Sequence, residues 1–368
     1  MAIFRILRAA LGASAALAML AGCSGGTPPA ASSPSTPGFA GQSAQRQFAT
    51  TDRTDNSLLP PNIARITHEP IATKSFMDPR AVGKPLIFVS DAANDVVDIY
   101  PQAGKNQKMV GQITGLTQPQ GLTTDKAGDL YVANTNSSNV LEYAPPYTGA
   151  PKMTINDPHG FPADVAVSST GIVAVTNICN APKCQIASGN VVLYAKGSAK
   201  SCASVSDTTF NFTRVMFAEF DSKGVLYVDG MNGGYQTSFG LVTGGCTAPA
   251  LTSLNYIYTV SFPGGMQIDK AGNIAYCDEI NLVVDTFAPP VNDTLGSPTS
   301  VMPITGSIFP IGIALLASGT NLYVADSGGS GVANEYKYTA GGKPENTIAV
   351  GGQPIGIAVT PSLSKDKN

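Results

Sequence analysis

A phrase recurs down this chain: Pro-x-Gly-Ile/Leu, a short gap, Asp-x-x-Gly, then an apolar run ending in Asn or Asp. It reads from Pro119 through Gly121 to Asn134, from Pro263 through Gly265 to Asp278, and from Pro310 through Gly312 to Asp326. Aligning on the central position gives Gly121, Asp164, Phe217, Gly265, Gly312 and Gly356, at intervals of 43, 53, 48, 47 and 44 residues. Repetition at this period marks an array of small supersecondary units, each burying its apolar face on the next.

Within a unit the runs are short and rich in β-branched and aromatic residues, with Gly, Asn, Asp and Pro between them. Unit 2 shows an inner run after Pro119, then residues 130–134, 140–143 and a fainter 152–155. Four strands in a unit of this length match a β-propeller blade. The ends complement each other. Residues 353–360 read as an inner strand with no second strand after it, and 85–91 read as a second strand with no inner strand before it. Together they complete one blade, which removes the open sheet edge. The expected fold is all-β: a six-bladed β-propeller closed by pairing of N- and C-terminal strands.

The organisation before the repeats is different. Arg5 and Arg8 precede an apolar stretch at 9–20, so 1–22 reads as a secretory signal, too short for an ordinary membrane span. Residues 23–60, rich in Gly, Ser, Thr, Pro, Ala and Gln, read as a flexible tether. Residues 61–84 carry scattered apolar positions and read as an extension packing on the domain without forming a regular blade; the propeller occupies 85–368.

The run Gly121-Leu122-Thr123-Thr124-Asp125-Lys126-Ala127-Gly128-Asp129-Leu130-Tyr131-Val132-Ala133-Asn134 resembles the repeats of NHL-type and YVTN-type propellers, and the resemblance covers about residues 85–365. That family includes enzymes, binding proteins and scaffolds, so the likeness bears on architecture and leaves activity open. Leu20-Ala21-Gly22-Cys23 resembles a bacterial lipobox. The resemblance implies cleavage before Cys23 and acylation of it, each chain contributing about 0.8 kcal/mol per buried methylene. Ser24 stands where Asp commonly retains such proteins in the inner membrane, so the implied address is the outer membrane or cell surface.

Export implies an oxidising compartment. Five cysteines remain after Cys23, an odd number. Cys179 and Cys184 flank a four-residue loop and are the leading disulfide candidates; a lone C-x4-C is a weak zinc signal. Cys202 and Cys246 fall in corresponding parts of adjacent blades and form a second candidate pair, while Cys277 reads as a small core residue.

Net charge is −3 with no basic stripe, there is no Trp, and aromatics are 7%, all against nucleic-acid binding. Gly-x-Ser-x-Gly and a phosphate loop are missing. The ends of second strands, Asp91, Asn134, Asn177, Asp278 and Asp326, gather on one rim with the Pro-x-Gly phrases. Their recurrence favours turn capping, in which the side chain accepts from nearby backbone N–H groups. The residues that break the pattern are His159, Asp164 and Glu219; with Asn177 they form the candidate ligand site. No cofactor is required. If a cation binds, Ca²⁺ is the expected one, because Asp164, Asn177, Glu219 and Asp278 offer hard oxygens. The gluconolactonase and paraoxonase class uses a channel metal for lactone hydrolysis. Here the matching inner-strand starts read Gln120-Gly121, Ile311-Gly312 and Ile355-Gly356, which leaves most of that class's ligand positions empty. The leading expectation is a monomeric, non-catalytic binding or scaffold propeller for a protein, peptide or carbohydrate ligand. The alternative is a Ca²⁺-dependent lactonase.

Overall fold

The computed structural model describes residues 72, 74–157, 160–180, 188–207 and 211–361. Cys23, His159 and Cys184 lie outside these, as do the segments read as signal and most of the tether and extension.

The described residues form a six-bladed β-propeller with no α-helix. Each blade is a four-stranded antiparallel meander. Blade 2 is typical: Pro119–Thr124 innermost, then Leu130–Asn134, Asn139–Tyr143 and Met153–Asn156. Blade 3 begins with Gly160–Val167 and Val173–Asn180, and blade 4 with Arg214–Phe220 and Leu226–Met231. Blades 5 and 6 start at Met266–Ile268 and Pro310–Leu315. Blade 1 closes the ring as the two ends predict. Leu86–Asp91 pairs antiparallel with Pro354–Thr360, in the register Phe88↔Ala358 and Val89↔Ile357. The extension does more than pack: Phe76–Met77 pairs with Gly111–Ile113 and adds a fifth, outermost strand to blade 1.

The repeated phrase has two physical jobs. Register shifts fall between Pro119 and Leu122 and between Pro310 and Ile313, so Pro-x-Gly sits at a bulge. There the missing proline N–H removes no ladder bond. The glycines sit where inner strands touch. A Cβ on Gly265 would lie 2.9 Å from the Gly312 Cα, and one on Gly312 would lie 2.5 Å from the Ile355 carbonyl oxygen. A Cβ on Gly356 would meet the Gln120 carbonyl, and one on Gly121 would lie 2.5 Å from the Asp164 Cα. At this level backbone packs on backbone around the axis.

Alternation along each strand sends apolar side chains into the seams on both sides. Phe88, Val97, Leu122 and Val132 fill the seam between blades 1 and 2, and Ile87, Tyr100, Tyr323 and Ile357 that between blades 6 and 1. The seam between blades 4 and 5 is aromatic, with the Phe239 and Tyr276 ring centroids 5.0 Å apart. Cys202, on the outer strand of blade 3, is disulfide-bonded to Cys246 in blade 4 with a Cα–Cα distance of 5.3 Å. Cys179 is also disulfide-bonded. Cys277 is buried and free, and burial pushes its thiol pKa well up.

Candidate binding site

The polar ring at the ends of the second strands caps turns. Asp91 accepts from the amides of Ala93 (3.1 Å), Asn94 (3.1 Å) and Gln353 (2.9 Å). Asn134 accepts from the Thr117 amide (2.6 Å), and Asp278 from those of Ser261 (3.2 Å), Ile280 (3.2 Å) and Asn281 (3.0 Å). Asp326 accepts from Ile308 (2.9 Å), Phe309 (2.8 Å) and Gly328 (2.8 Å). In these blades the residue joins its own turn, or the loop entering the inner strand, to the strand end. That geometry accounts for the recurrence without a ligand.

Asp164 and Glu219 come together on the axis, lining the same narrow space as the ring of glycines. Both are buried. Asp164 Oδ2 accepts the Ala218 amide at 3.1 Å across the blade 3–4 seam. Glu219 Oε1 accepts the Phe220 amide at 2.9 Å, and its Oε2 accepts from Gln267 Nε2 at 2.7 Å. Asp164 and Glu219 are therefore tied to backbone and amide groups where blades 3 and 4 depart from the repeat. The axial space toward the far mouth amounts to about 30 Å³, close to one water's share of liquid volume.

Asn177 and Asp278 do not join them. The Asn177 amide donates to Asp157 Oδ2 (2.7 Å) and Asn190 Oδ1 (3.0 Å), inside blade 3 and its entry loop. Burial pushes the Asp157 carboxyl up, while the bond from Asn177 pulls it down. Among the described residues no group of three or more His, Cys, Asp or Glu is placed to hold a metal ion. The four oxygen donors expected around one Ca²⁺ are thus divided among three places and do not fit a single coordination sphere.

Other buried polar groups lie outside the site expected from the sequence. Asp229 is fully buried and accepts from the amides of Phe217 (2.8 Å) and Gly264 (3.2 Å) and from Tyr276 Oη (2.9 Å). Burial pushes its carboxyl well up. The available signal was its place, one residue early in the repeat, which turns the side chain to the other face of the strand. Glu279 follows the capping Asp278, where other blades have Ala, Thr, Ile, Gly or Ser. Burial, then the charges of Asp229 and Asp278, push its carboxyl well up. Asp285, in the third strand of blade 5, is fully buried and neither of its oxygens has a hydrogen-bond partner. Its pKa rises to about 7, by burial and then by the charge of Asp278.

No family model and no curated protein matches the sequence. Solved structures do. The chain is similar to one in a nidogen/laminin complex, with a TM-score of 0.57 at 15% identity, covering 76% of this chain and 100% of that one. It is also similar to a protein of unknown function from Bacteroides caccae, with a TM-score of 0.54 at 11% identity, covering 75% and 99%. At these identities the likeness extends to the fold alone. The class so defined is the six-bladed β-propeller.

Proposed function

We propose that this chain is a non-catalytic binding or scaffold propeller, held to a bacterial cell envelope by lipid on Cys23. Its ligand is a protein, peptide or carbohydrate met on the rim over blades 2 to 4, outside the axis. One observation carries this reading. The two acids that break the repeat, Asp164 and Glu219, hold backbone amides of blade 4 around a shared axial space of about 20 Å³. A small-molecule site commonly needs several hundred Å³, about 300–1,000. Among the described residues the space between these carboxylates is too small for a substrate, which favours recognition on the surfaces of the blades.

A thermal-shift screen of the mature chain against sugars, peptides and divalent cations tests the rim. A ligand that binds the folded state raises the melting temperature. The gain should be reduced in the double variant Asp164→Asn/Glu219→Gln, because those side chains hold the blade 3–4 rim in shape. An unchanged gain would put the site elsewhere. Anchoring is tested by fractionating cells that express Cys23→Ala: release from membranes or stalled processing is expected. Equal membrane retention at the same mature mass would refute it.

A further inference from the structure

A larger space, about 260 Å³, opens on the face opposite the Pro-x-Gly phrases, between blades 1 and 2. Four chain segments meet there: residues 82–86 entering the second strand of blade 1, the 127–128 turn, the 145–147 turn, and Thr360-Pro361 at the end of the closing strand. The walls are apolar, formed by Met77, Leu86, Tyr147 and the prolines at 85, 145, 146 and 361. Prolines fix φ, so these walls do not readily collapse inward.

Tyr147 forms one wall and is held in place. It is a non-glycine residue at φ 67°, a conformation that costs energy and persists only where the surroundings enforce it. Its Oη donates to the Gly128 carbonyl at 2.8 Å, and its ring meets Phe88 edge-on at 4.9 Å. The phenol is thus used by the fold, and the ring is left as an apolar surface. Val82 stands at the cavity with 46% of its surface exposed. Lys84 is the one charged residue in the lining, and it is exposed. Neither the ring of blades nor the rim proposed above requires this hollow.

A half-open, largely apolar hollow with a single cation fits a linear molecule with a hydrocarbon body and one negative end. At roughly 30 Å³ per water-sized group, the volume holds about eight or nine carbons. We propose that this cavity binds a medium-chain aliphatic carboxylate, with the alkyl chain between Tyr147 and the prolines and the carboxylate at Lys84. This site is independent of the rim over blades 2 to 4.

Calorimetric titration of the mature chain with butyrate, hexanoate, octanoate and dodecanoate tests the proposal. Each added methylene should tighten binding about fourfold until the cavity is full, then gain little. Lys84→Gln should weaken octanoate about three- to fivefold and leave 1-octanol unchanged. Lys84 is exposed, so this variant should fold. The chain has no Trp, so Val82→Trp supplies a single reporter whose emission should shift on adding octanoate. Ala127→Leu should block binding; if that variant fails to fold, the other three readings still decide. The proposal is overturned by any one of three results: no saturable octanoate binding, affinity independent of chain length, or octylamine binding as tightly as octanoate.

Discussion

Tyr276 Oη donates to Asp229 Oδ2 at 2.9 Å, joining the second strands of blades 5 and 4 through two fully buried side chains. Asp229 also takes the Phe217 amide of its own blade and the Gly264 amide of the next. One carboxyl therefore holds three donors where blade 4 lacks Pro-x-Gly. The contact supplies locally what the repeated phrase supplies in other blades, a fixed approach of one inner strand to the next.

Removing that carboxyl leaves buried donors unpaired, at about 1–3 kcal/mol each. Asp229→Ala should cost on the order of 4 kcal/mol in urea unfolding, and Tyr276→Phe about 1 kcal/mol. The two losses should be non-additive in a double-mutant cycle, because the residues share one bond. Additive losses would mean that the pair does not couple the blades.

Asp285 sets a pH dependence. Its carboxyl titrates near 7 in the folded chain and near 4 unfolded. Between those values the folded state holds a proton that the unfolded state has released, so stability falls as pH rises. The full stability is present below about pH 4 and the loss is complete above about pH 7. Asp91, Asp157, Asp229 and Glu279 are also pushed up by burial and slope the same way. Asp285→Asn should raise stability at pH 8 by on the order of 2 kcal/mol and change little at pH 4. Melting curves across this range measure it, and an equal effect at both ends would contradict the assignment.

The closing strand is a third point of test. Ile355, Ile357, Ala358 and Val359 are buried in the closing blade. Their loss removes about 1.5–3 kcal/mol for each larger side chain and opens the edge of Leu86–Asp91. Deleting 353–368 should cost an amount comparable to the whole stability of a typical domain, about 5–15 kcal/mol, and give an aggregated product. A soluble monomer melting with the parent chain would contradict closure.

The architecture was readable because each blade solves the same problem with the same residues. Pro119, Gly121 and Asn134 recur as Pro310, Gly312 and Asp326, and the incomplete units at the two ends fit together. What the sequence concealed depends on contacts between distant residues. Phe76–Met77 is too short to carry a strand period, yet finds an edge at Gly111–Ile113. Asn255–Tyr256 pairs in parallel with Thr294–Leu295, a pairing that no local pattern announces. Cys202 and Cys246 fall one repeat apart in corresponding parts of adjacent blades, but the approach of their side chains depends on how the outer strand of blade 3 meets blade 4. Asp164 and Glu219 were recognisable as exceptions to the repeat. Their partners, the amides of Ala218 and Phe220, became visible only once blade 4 was in place. Nothing in the repeat marks Asp285, and its lack of a partner depends on what surrounds blade 5.

The central claim is that the axial acids serve the fold of a binding propeller. Metal analysis of the protein purified without chelator tests it most directly, alongside melting curves with and without millimolar Ca²⁺. The account predicts no stoichiometric metal, no Ca²⁺-dependent stabilisation, and an Asp164→Asn/Glu219→Gln variant that melts lower by the same margin in both conditions. A stoichiometric Ca²⁺ that raises the melting temperature and is lost in that variant would contradict it.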